Sequence, residues 1–104
     1  MSPADLSLQV SAKLEQLFPC EQRTTAAALL EAECGSGLPL IASQGAEGIE
    51  RIRCAVLKIS EGSLEKLHAA VQLANDDWRD VLVAAGFANS ALAHISWLES
   101  ETRT

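Results

Sequence analysis

The sequence predicts an all-α fold: a compact orthogonal or bundle-like array of five to six short helices around a central helical hairpin. Three observations lead there. Apolar residues recur every three or four positions through most of the 104 residues, the period of a helix with one buried face. Glycine, proline and small polar groups punctuate the chain where these stripes begin and end. No segment keeps the apolar–polar alternation of a half-buried strand, and the β-branched residues sit inside helical patterns. One helical domain is expected over residues 1–104, a common size for a single core.

Ser2-Pro3-Ala4-Asp5 reads as a helix start, with Ser2 as cap, Pro3 in the first turn and Asp5 closing a capping box. Leu6, Val10, Leu14 and Leu17 give the first stripe, and Pro19 ends that helix or starts the next. A second helix is expected from about Glu21 to Cys34, with Ala26, Ala27, Leu30 and Cys34 as its row. Gly35 is the expected left-handed residue at its end. Between Gly35 and Ala46 a connector with an apolar centre, Leu38-Pro39-Leu40-Ile41, should cross the core or hold one helical turn. The third helix, about Ala46 to Ser60, carries Ile49, Ile52, Val56 and Ile59. Ser60-Glu61-Gly62-Ser63 is the strongest punctuation: Gly62 can end one helix and Ser63 can cap the next. A fourth helix repeats the spacing with Leu64, Leu67, Val71 and Ala74, so the two form an antiparallel hairpin. Asn75-Asp76-Asp77 should break or kink it, because these side chains compete for backbone donors. A fifth helix is expected over Trp78–Ala85, closed by Gly86, and a short sixth, capped by Asn89 or Ser90, carries Leu92, Ile95 and Trp97 or Leu98.

Composition limits the functional classes. The net charge is −6, and the eight cations are dispersed as Lys13, Arg23, Arg51, Arg53, Lys58, Lys66, Arg79 and Arg103. Nucleic-acid binding draws on clustered cations that displace phosphate counterions, so no nucleic-acid partner is expected. No apolar run reaches the roughly 20 residues that span a bilayer, so no membrane partner is expected either. The N-terminus lacks the basic and apolar regions of a secretory signal, which points to a cytoplasmic protein. Cys20, Cys34 and Cys54 are odd in number and widely spaced, a poor disulfide framework without metal-site spacing. No cofactor is expected.

The stretch Glu50-Arg-Ile-Arg-Cys-Ala-Val-Leu-Lys-Ile-Ser-Glu-Gly-Ser-Leu-Glu-Lys-Leu67, followed by Asp77-Trp-Arg-Asp-Val-Leu82, resembles a pattern of small uncharacterised bacterial helical proteins. That pattern is E-R-x-x-x-A-x-L-K-x-S-x-G-x-L-x-K-L, then D-[WY]-R-D-x-L. The resemblance spans about the middle third of the chain. It implies a bacterial all-helical fold and carries no chemistry to any residue.

Asp76, Asp77 and Asp80 with Arg79 form the densest polar group. Carboxylates so clustered can serve a hard cation or acid–base chemistry, but Asp residues also mark a helix start, where they satisfy free N–H groups. The helix start is the favoured reading. His68 lies about 40° from the Leu64 direction on a helix, at the margin of the apolar stripe, and could join that cluster. His94 falls in the weakest helix, and neither histidine pairs by sequence with a cysteine. Trp78 lies on the apolar side of its helix, whereas Trp97 points away from Leu92 and Ile95.

Apolar residues remain after each main stripe is assigned. Leu57 lies about 100° from Val56, Cys54 about 160° from it, and Leu73 falls opposite Leu64. These either pack against other helices of the chain or meet a partner. The expected function is therefore a protein-interaction or regulatory module, self-associating or bound to another protein, with Leu57, Leu73, Trp97 and Leu98 as candidate interface residues. The alternative is a small enzyme or metal-binding protein using Asp76, Asp77, Asp80 and His68. A helix-turn-helix DNA binder built from the fourth and fifth helices ranks last, because Trp78–Ala85 offers one cation and almost no base-reading side chains.

Overall fold

A computed structural model describes residues 6–35, 38, 45–88 and 93–99 of the chain. They form five helices, α1 (Leu8–Leu17), α2 (Cys20–Glu33), α3 (Gly45–Ser60), α4 (Leu64–Ala85) and α5 (Ala93–Glu99), and no strand occurs among the described residues. The all-α expectation is met. The radius of gyration is 12.2 Å, close to the roughly 13 Å of a compact chain this long.

The α3–α4 hairpin is the centre of the fold and holds its most extensive helix–helix interface. Every residue from Ile52 to Leu57 is buried, which requires cover on all sides of α3. α4 covers one side, α1 and α5 pack on others, and α2 bridges α1 and α4. Leu57 and Cys54, left over when a single stripe is assigned, thus face helices of their own chain.

The turn between α3 and α4 follows the sequence closely. Ser60 Oγ donates to Leu57 O at 2.7 Å and accepts from Gly62 N–H at 3.3 Å. Glu61 and Gly62 are both left-handed, at φ 53° and 82°. Ser63 Oγ then accepts from Lys66 N–H at 3.3 Å and caps α4. A Cβ on Gly62 would land on the carbonyl oxygen of Leu17, closer than real Cβ contacts come. The turn is therefore pressed onto the end of α1, a tertiary constraint added to the φ requirement.

Two boundaries differ from expectation. The Ser2–Asp5 start lies outside the described residues, but Leu6 and Ser7 are not helical. Ser7 takes extended backbone and its Oγ accepts from Val10 N–H at 3.1 Å, so the helix begins at Leu8. Gly35 is not left-handed, since among the described residues the positive-φ glycines are Gly45, Gly62 and Gly86. Its absent side chain instead makes room for Arg53, whose Nη2 would sit 3.0 Å from a Cβ there. Asn75-Asp76-Asp77 kinks the chain as expected: Asp77 leaves helical geometry (φ −161°, ψ 101°), and α4 consists of two helical segments that meet there. Of the connector, Leu38 is described: it is buried and its N–H closes a turn onto Gly35 O at 3.0 Å. The Asn89 and Ser90 caps lie outside the described residues.

Helix ends are closed largely by side chains from elsewhere in the chain. Arg23 of α2 donates to Phe18 O and Glu15 O at 3.1 and 2.9 Å, at the end of α1. Buried Arg53 of α3 donates to Cys34 O at 2.7 Å, and Asn75 of α4 to Glu33 O at 2.8 Å, both at the end of α2. Gly86 ends α4 as expected, left-handed, with Phe87 N–H on Leu82 O at 2.8 Å and Gly86 N–H on Val83 O at 3.1 Å, the paired bonds of a Schellman cap. Lys58 Nζ adds a bond to Ala85 O at 2.8 Å, and Arg51 donates to Phe87 O. The last carbonyls of a helix have no partner within it and carry the negative end of its dipole. Cations answer both needs.

Candidate functional site

The candidate residues separate into three groups. Leu57 is wholly enclosed and presents nothing to a partner. Trp97 and Leu98 are half-buried against the core. The Trp97 ring centroid lies 6.1 Å from that of Phe87, with Lys13 Nζ 5.0 Å from the Trp97 centroid. That geometry joins α5 to α1 through a cation–π contact, so Trp97 serves internal packing more than the sequence pattern suggested. Leu73 stands at the surface, 36% exposed.

The polar cluster does not converge. Asp77 Oδ1 accepts from Arg79 N–H at 3.1 Å and from Arg79 Nε at 2.9 Å, and Oδ2 accepts from Arg79 Nη2 at 3.0 Å. Asp77 thus caps the second segment of α4, and Arg79 locks the cap from the same turn rather than reaching the preceding segment. These hydrogen bonds hold the Asp77 carboxyl below its ordinary range. Asp76, Asp80 and His68 are exposed. Among the described residues no three His, Cys, Asp or Glu side chains come together to hold a metal ion. The geometry supports the helix-start role for Asp77.

The two buried cysteines are not activated thiols. Cys34 and Cys54 are buried, and loss of water pushes both up to about 12, against the opposing effects of Arg53 on Cys34 and Lys13 on Cys54. Glu50 adds to the rise at Cys54. A thiol that stays protonated is a poor nucleophile. Cys20 is exposed at the start of α2. A groove of about 210 Å³ between α1 and α2 is lined by Leu6, Leu14, Ala27, Ser11, Thr24, Glu15 and Arg23. It is smaller than the roughly 300 Å³ at which ligand pockets begin, and Arg23 is already engaged by the end of α1.

What stands out is the outer face of α4. Leu73 and Val83 are exposed, Val83 by 66%, on a helix whose inner face (Leu67, Ala70, Val71, Ala74, Val81, Leu82 and Ala85) is buried. Asp76 and Asp80 lie exposed between them. Both cations of this helix are held by carboxylates: Lys66 by Glu61 at 2.9 Å and Arg79 by Asp77 at 2.9 Å. Val83 was missed in the sequence although a signal was present. The five-residue apolar run Val81-Leu82-Val83-Ala84-Ala85 wraps more than a full turn and cannot all face inward. Leu8 and Ile95 are further exposed apolar residues on other helices, at 88% and 40%. No helix among the described residues is long and apolar enough to cross a membrane. No protein-family model matches the chain, and neither a curated protein nor a solved structure matches it.

Proposed function

We propose that this chain is a protein-interaction or regulatory module whose working surface is the outer face of α4. One observation carries the reading. The two segments of α4 bury their inner faces and leave Leu73 on the first and Val83 on the second in water, with Asp76 and Asp80 between them in sequence. Large exposed apolar side chains rimmed by charge are the usual composition of a contact surface.

Site-specific photocrosslinking tests this. A benzophenone side chain replacing Leu73 or Val83 should give a discrete adduct in the native cell, absent when the same group replaces exposed Thr24 of α2. No adduct at 73 or 83, or equal adducts at all three positions, would overturn the reading. Sedimentation equilibrium of the purified chain separates the partner types. A species heavier than 11.1 kDa that dissociates on dilution would mean self-association, and a monomer would mean a different protein.

A further inference from the structure

We draw no further inference here: the strongest candidate, the cationic and aromatic cluster of Lys13, Lys58, Phe87, His94 and Trp97 where α5 packs on α1 and α3, carries nothing beyond the fold, because its contacts already serve to seat α5 and to close the end of α4 and nothing among the described residues there points to a ligand.

Discussion

Replacing Gly62 with alanine should be far more damaging than the same change at the other left-handed glycines. Gly45, Gly62 and Gly86 share positive φ, at 66°, 82° and 81°. A side chain in that region costs about 1–2 kcal/mol at each. They differ in what a Cβ would meet. At Gly45 nothing lies within 4 Å, and at Gly86 the nearest atom is Lys58 Nζ at 3.9 Å, the mobile tip of a side chain. At Gly62 it is the backbone oxygen of Leu17. Relieving that collision means moving the end of α1 off the hairpin turn, which strains packing at Phe18, a fully buried residue. Overpacking of this kind adds about 1–3 kcal/mol. We expect G45A and G86A to cost about 1 kcal/mol and G62A about 3 kcal/mol, a large part of the 5–15 kcal/mol typical of a domain. Urea unfolding followed by far-UV circular dichroism gives all three values, provided the slopes agree. If G62A falls within about 0.5 kcal/mol of G45A, the turn is not clamped against α1 and the reasoning fails.

Three further outcomes follow from the same structure. Under native conditions at pH 8 a thiol reagent should modify Cys20 alone, with Cys34 and Cys54 reacting only after denaturation, since both are buried and pushed up to about 12; rapid reaction of two or three thiols would contradict the packing around α3. R53M should cost about 2–3 kcal/mol, because it removes a charged donor from a buried carbonyl at the end of α2, and a loss under about 0.5 kcal/mol would mean that water can reach the Cys34 oxygen. Asp77 has a depressed folded pKa, so its contribution is complete above the ordinary carboxylate value near 3.9 and disappears as pH falls through the lower folded value. D77N should therefore lose stability at neutral pH and shed part of the acid dependence, and superimposable acid limbs for D77N and the parent would refute the cap.

The hairpin was legible because its signals are local. Gly62, Ser63 and Gly86 act within a few residues of their own positions, and the third and fourth stripes need only helical period. Gly35 misled for the opposite reason. Its role is set by Arg53, 18 positions along, and nothing near Gly35 distinguishes room for a guanidinium from a left-handed cap. Asp77 was legible as a kink because Asn and Asp side chains compete locally for backbone donors, and its carboxylate then caps the following segment through Arg79 N–H. Leu57 and Cys54 could be marked as surplus, yet whether they met the chain or a partner depended on how many helices surround α3. The candidate surface was half legible: Leu73 stood out by angle, Val83 was hidden within an apolar run, and which cations are already committed is a purely tertiary property.

The cross-element closure of helix ends also ranks the parts of the molecule by autonomy. α4 is terminated by Arg51 and Lys58, both on α3, so the hairpin contains everything its own last turn needs. α2 is terminated by Arg53 and Asn75, which exist in place only once the hairpin has formed. α1 is terminated by Arg23, which is in place only once α2 has docked. Dependence thus runs backwards along the chain, from the middle to the N-terminus. A polypeptide emerging N-terminus first would hold α1 and α2 unfinished until the sequence through Phe87 is available, and amide exchange at equilibrium should open α1 before α2 and α2 before the hairpin.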